Sequence, residues 1–199
     1  MSHDLTPSNY PIPPYLVGLT QVTPERFKRL CHEHSDLRLE LTSTGELIAM
    51  PPVGLQTSRR NADLTCQLAG WAQIDGGGVC FASCTGFVLP NNAIRSPDAS
   101  WAKREKWEHL TKQQKEDFAP FCPDFVAELR SESDRLTSLH SKMLEYIANS
   151  ASLGWLIDPL KRRVYVYRPD QELVILENPE IVSGDPLLPG FKLQMDGLW

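Results

Sequence analysis

The chain has 199 residues, 41% hydrophobic and 23% charged, which suits one globular domain with a sizeable core. No apolar run approaches the ~20 residues of a membrane helix. No basic start followed by an apolar stretch marks an export signal, and five scattered cysteines suit a reducing cytoplasm better than a disulfide framework. Net charge is −5, carried wholly by the tail: residues 1–169 hold 19 Lys+Arg and 19 Asp+Glu, residues 170–199 one Lys and six acids, so charge neither supports nor excludes a polyanionic partner.

Residues 1–18, with Pro7, Pro11, Pro13 and Pro14, read as an extended proline-rich arm, and 19–199 as a single domain. Thr23-Pro24-Glu25 opens a short helix by the cap-then-proline pattern, with Phe27, Leu30 and Cys31 at helical spacing. Leu37–Leu41 and Glu46–Met50 alternate with period two around a turn at Thr42–Gly45, which predicts a hairpin. Pro51-Pro52 ends it. Leu64, Leu68 and Trp71 place an apolar stripe on a helix over 56–74, closed by Gly76-Gly77-Gly78. Val79–Leu89 and Ile94–Ala102 read as strands about a turn at Pro90-Asn91-Asn92, with Cys80 and Cys84 sharing a face. Lys103–Phe118 is a polar excursion.

Phe121–Leu129 is apolar on both faces and predicts a central strand. Ser133-Asp134 caps a helix over about 135–149, with Leu136, Leu139, Met143 and Ile147 as its core stripe. Leu153–Ile157 and Val164–Tyr167 are two more strands, and the segments Leu173–Leu176 and Leu188–Phe191 complete the chain. The pattern is α+β, with meandering strands, one helix before the main hairpin and one after the central strand.

Two acids are misplaced in this scheme. Asp98 lies in Arg95-Ser96-Pro97-Asp98-Ala99-Ser100-Trp101, and Glu128 lies inside Pro123-Asp124-Phe125-Val126-Ala127-Glu128-Leu129. A carboxylate in a sheet core costs several kcal/mol unless paired. A shared hard cation would pair both, and Mg²⁺ takes one or two protein carboxylates and keeps several waters. Glu128 also has two candidate partners for a purely structural ion pair, Arg130 on its own strand and Lys142 on the following helix. Lys142, at the edge of the helical stripe, is placed to reach the same site along its aliphatic stem. Asp124 and Asp158 read as strand-end residues and His140 as a surface residue. His32 and His34 lack a second pair at metal-ligand spacing.

The four segments Arg95–Trp101, Pro123–Leu129, Lys142-Met143-Leu144-Glu145-Tyr146 and Gly154-Trp155-Leu156-Ile157-Asp158-Pro159 resemble the Uma-two family of restriction-endonuclease-like proteins, within the PD-(D/E)XK nuclease superfamily. The resemblance runs from about Thr23 to Leu188-Pro189-Gly190-Phe191. It implies a restriction-endonuclease-like core, a central mixed sheet flanked by helices, preceded here by the N-terminal β-hairpin. It further implies a Mg²⁺ (or Mn²⁺) site in which Asp98 and Glu128 are ligands, with Glu40 as a further acid. The superfamily lysine two residues after Glu128 is replaced by Arg130, which cannot serve as a base; Lys142 takes that role, and Arg130 becomes a phosphate contact. The implied activity is endonucleolytic hydrolysis of duplex DNA by a cytoplasmic protein, with homodimers suited to cutting both strands. The alternative is an inactive DNA- or protein-binding module that keeps the fold.

Overall fold

The computed structural model describes residues 19–35, 37–50 and 52–199; the proline-rich segment 1–18 lies outside them. The described residues form two compact units, one built from those up to position 50 with Asn92–Ile94, the other from Val53–Asn91 with Arg95–Trp199.

In the first unit, helix α1 (Pro24–Glu33) starts where the sequence places it: Thr23 Oγ1 accepts from Arg26 N, Pro24 occupies the first turn, and Phe27 and Leu30 are buried. Strands β1 (Arg38–Leu41) and β2 (Leu47–Met50) form the expected hairpin, in register from Arg38↔Met50 to Leu41↔Leu47. Its turn is held by Thr42 Oγ1 accepting from Glu46 N at 2.9 Å and by Gly45 at φ +80°, a conformation that favours glycine. Leu41 also pairs with Ile94.

The second unit begins with helix α2 (Leu55–Asp75), which Gly76 ends in the left-handed region with its N–H on Ala72 O. The segment Val79–Leu89 is not one strand. It breaks into β3 (Gly78–Ala82) and β4 (Phe87–Val88) around a turn closed by Thr85 N to Ala82 O. Cys84 therefore lies beyond the strand and is exposed, so it does not share a face with Cys80. The returning segment is likewise split, into β5 (Ile94–Arg95) and β6 (Ala99–Lys103), because Pro97 cannot donate to a ladder. The polar excursion forms two short helices, α3 (Arg104–Glu108) and α4 (Lys112–Lys115), the latter opened by a capping box between Thr111 and Gln114. Next come β7 (Phe125–Leu129), α5 (Leu136–Ala148), β8 (Leu153–Asp158), β9 (Arg163–Tyr167) and β10 (Val174–Glu177). In place of a single closing segment, β11 (Ile181–Ser183) and β12 (Lys192–Gln194) pair as a small separate sheet.

The main sheet has the order β10-β9-β8-β7-β6-β3. Strand β7 is interior, as its two apolar faces predict, and all five of its residues are buried. It runs antiparallel to β6 and parallel to β8, with α5 as the crossover, so the sheet is mixed and carries helices on both faces. Alternation along the strands divides the chemistry. Ala99, Trp101, Phe125, Ala127, Leu129, Trp155 and Ile157 pack with Leu64, Leu68 and Ala72 of α2 and with the β11–β12 segment. The opposite face carries Val126, Glu128 and Gly154 toward α5. A Cβ at Gly154 would stand 2.5 Å from Met143 Cε, so the end of the Met143 side chain would have to shift to admit one.

Helix α5 departs from its predicted cap and stripe. Arg135 occupies the cap position without a side-chain bond, while Asp134 closes the preceding turn on Ser131 N and Oγ at 2.7 and 2.6 Å. The buried positions are Met143 and Tyr146, with Leu136, Leu139 and Ile147 only half-buried. The inward face is thus rotated toward Lys142, whose side chain is 12% exposed.

Candidate active site

One step beyond the last ladder pair of β6 and β7, Ala99↔Ala127, Asp98 comes opposite Glu128. At that step the Asp98 carboxylate, instead of a strand carbonyl, accepts from the backbone: Oδ2 takes the Leu129 N–H at 2.8 Å. Its Oδ1 accepts from Asn61 Nδ2 on α2 at 3.1 Å. Pro97 releases the chain from the ladder just where this side chain takes over.

Glu128 is 4% exposed inside the interior strand. Two donors on α5 meet its Oε1: Lys142 Nζ at 2.8 Å and Tyr146 Oη–H at 3.0 Å. Lys142 and Tyr146 stand four residues apart, hence on one side of the helix, and the ammonium lies 5.9 Å from the Tyr146 ring centre. A cation and a phenol thus both bond to this nearly buried carboxylate, which offsets the cost of keeping it out of water.

Arg130 is not the partner of Glu128. It turns to Asp158, the last residue of β8, with Nη1 to Oδ2 at 2.8 Å, and its Nε reaches Asp134 O at 3.4 Å. Asp158 is fully buried and also accepts from Leu160 N at 3.0 Å, so it is an ion-pair partner rather than a plain strand end. Asp124 is likewise buried, accepting from Lys103 N at 2.9 Å and lying 3.1 Å from Lys106 Nζ. His140 is not a bare surface residue: Nδ1 meets the Tyr167 hydroxyl, and the ring sits edge-on to Tyr165 at 4.8 Å. Burial lowers the His140 pKa, and the Asp158 charge opposes this.

Glu40 lies on β1 of the first unit, 2% exposed. The second unit brings Asp98, Glu128 and Lys142 together. To these it adds Tyr146 and Asn61, which the sequence reading did not single out. Tyr146 had a legible signal, its spacing of four from Lys142. Asn61 had none, since only folding carries the start of α2 to Asp98.

Among the described residues no group of three or more His, Cys, Asp or Glu side chains is arranged to hold a metal ion. The oxygen donors present are nevertheless of the right kind. Asp98, one step beyond the β6–β7 ladder, and Glu128 on β7 supply hard carboxylate oxygens. Oxygen-only donors suit Mg²⁺ or Mn²⁺.

No helix among the described residues is long and apolar enough to cross a membrane. No curated protein matches the chain. Among solved structures it is similar to a protein described as a putative nuclease belonging to DUF820 from Anabaena variabilis ATCC 29413, with 20% identity over 75% of this chain and 82% of that one, at a TM-score of 0.65. At that identity the likeness concerns the fold. A family model described as Uma2, "Putative restriction endonuclease", matches residues 24–196, the span over which the four sequence segments and the facing acids occur. The chain belongs to the Uma2 family.

Proposed function

We propose that the protein is a divalent-metal-dependent endonuclease that hydrolyses phosphodiester bonds of DNA. The observation that carries this reading is that Asp98, one residue before β6, takes the backbone N–H of Leu129, the neighbour of Glu128 on β7, with Lys142 Nζ 2.8 Å from Glu128. Family membership and the nuclease-like fold support it.

In this reading Asp98 and Glu128 hold Mg²⁺ or Mn²⁺. The bound ion supplies an activated water and neutralises charge on the scissile phosphate. Leu129 N–H and Asn61 fix the Asp98 carboxylate for that task, and Tyr146 fixes Glu128. Lys142 orients the attacking water and offsets the charge that builds on the phosphate oxygens. Arg130 spends Nε and Nη1 on Asp134 and Asp158, and its remaining N–H groups would contact a phosphate. Cutting both strands of a duplex would favour a two-fold dimer.

The test is cleavage of duplex DNA by purified protein with Mg²⁺ or Mn²⁺, alongside chelator and Asp98→Ala. Metal-dependent cleavage lost in the variant is expected. Cleavage that persists in chelator or in Asp98→Ala overturns the assignment.

One observation favours a second reading, a module that binds DNA or protein without turnover: Lys142 is committed to an ion pair with Glu128. That reading expects binding indifferent to metal and to Lys142→Ala.

A further inference from the structure

Strand β10 closes the main sheet on one side, paired with β9 alone. In an antiparallel ladder every second residue turns its N–H and C=O away from the partner strand, so on β10 these groups face outward. Among the described residues no backbone bond from positions 173–177 runs to anything but β9. The opposite edge differs. There β3 is accompanied by α3: Arg104 N donates to Gly77 O at 2.9 Å, and the Phe81 and Trp107 ring centres lie 5.9 Å apart.

Natural edges are guarded against pairing by lysine, proline or a bulge. Leu173-Val174-Ile175-Leu176 has no charge and no proline, and the register from Val174↔Val166 to Glu177↔Arg163 has no bulge. Leu173, Val174 and Ile175 are 43%, 45% and 48% exposed. A bare strand edge rimmed by apolar side chains is a template for another strand.

Charge selects which strand. Asp170 and Glu172, both exposed, precede β10, and Arg168 beside them turns to the Asp185 carbonyl at 3.1 Å. The other end of β10 lies beside the turn Lys161-Arg162-Arg163: Glu177 is in register with Arg163, and Asn178 N donates to Arg162 O at 2.7 Å. Glu177 takes up Arg163 at 2.8 Å, while Lys161 and Arg162 are exposed and make no ion pair among the described residues. The edge is therefore acidic at one end, apolar in the middle and basic at the other. Two such edges laid antiparallel about a two-fold axis place each acidic end against the other's basic end. That is the self-complementarity an isologous interface needs.

We propose that the protein forms a two-fold homodimer through β10, the two main sheets joining edge to edge into one continuous sheet. Val174 and Ile175 form the apolar centre, with Asp170 and Glu172 of each copy facing Lys161 and Arg162 of the other. Strands of four residues bury little area, so the association is reversible and rises with protein concentration. The assignment uses no residue of the candidate active site and does not depend on the nuclease reading.

The test is sedimentation equilibrium of the full chain over a range of concentrations. The wild type is expected to reach twice the monomer mass. Val174→Lys, which sets a charge on the edge at an exposed position, is expected to weaken dimerisation about 10-fold or more. Ile175→Lys takes its place if that variant does not fold. Asp170→Lys/Glu172→Lys leaves both ends basic, and Lys161→Glu/Arg162→Glu leaves both ends acidic. Each alone is expected to be monomeric at concentrations where the wild type dimerises. Mixed in equal amounts, the two are expected to associate as a heterodimer, a rescue that a misfolded variant could not show. A wild type that stays monomeric overturns the proposal and leaves the edge to a strand from a different protein. A dimer indifferent to Val174→Lys also overturns it, since another surface would then hold the copies. So does failure of the two charge variants to associate when mixed. Each of these results leaves the nuclease reading standing.

Discussion

Replacing Lys142 by methionine isolates the cost of holding Glu128 charged inside the sheet. The side chain keeps its length and apolar stem, so the main loss is the ammonium 2.8 Å from Glu128 Oε1. At that separation and an effective dielectric constant near 20, the attraction is about 6 kcal/mol before desolvation is subtracted. Tyr146 remains, and a hydrogen bond to a charged acceptor contributes about 1.5–3 kcal/mol. Breaking one side of a buried pair costs about 3–5 kcal/mol. Lys142 retains slight exposure, which places the expected loss for Lys142→Met near 3 kcal/mol, or roughly 150-fold in the folding equilibrium. The double variant Glu128→Gln/Lys142→Met removes the orphaned charge and keeps an acceptor for Tyr146. It should recover most of that loss, to within about 1 kcal/mol of the wild type. Urea unfolding followed by tryptophan fluorescence checks both values, since Trp101 and Trp155 lie in the core. A loss below about 1 kcal/mol for Lys142→Met, or a double variant no more stable than the single one, would refute the reasoning.

Arg130→Ala should cost about 3 kcal/mol in the same assay, because Asp158 is fully buried and, among the described residues, would keep the Leu160 N–H as its side chain's donor; a loss under about 1 kcal/mol would show that water reaches Asp158. His140 should titrate below the ordinary value near 6.5 in the folded protein, since burial against Tyr165 and Tyr167 disfavours its charged form. Its folded pKa being the lower one, the unfolded chain binds the extra proton. The neutral ring therefore contributes stability above about pH 6.5 that is lost as the pH falls. An NMR titration of its Cε1–H with a midpoint at or above 6.5 would contradict this.

Periodicity made most of the elements legible, because a segment's burial pattern is written into its own residues. The cap at Thr23, the stripe Leu64–Leu68 on α2, the hairpin β1–β2 and the interior strand β7 all follow from local spacing. The errors arose where one residue interrupts a long apolar run. Pro97 divides β5 from β6, and the turn after Ala82 divides β3 from β4. On α5 the stripe was placed about one position away from its true face, since Leu139 and Met143 fit either choice and only contact with Val126 and Gly154 decides between them. Asp134 resembles a helix cap in a linear sequence, where a carboxylate that closes the preceding turn on Ser131 cannot be distinguished from one that caps the helix.

The sequence by itself determined that Asp98 and Glu128 were out of place, because an acid inside an apolar strand is anomalous whatever the fold. It also determined that Lys142 lay on the helix that follows. Only the tertiary structure decided who pairs with whom. It gave Glu128 to Lys142 and Tyr146, gave Arg130 to Asp158, and brought Asn61 to Asp98 from 37 residues away. The physical reason is that burial raises a demand for a partner from composition alone, whereas which partner meets it depends on strand register and helix rotation. Both are set by packing between segments distant in the chain.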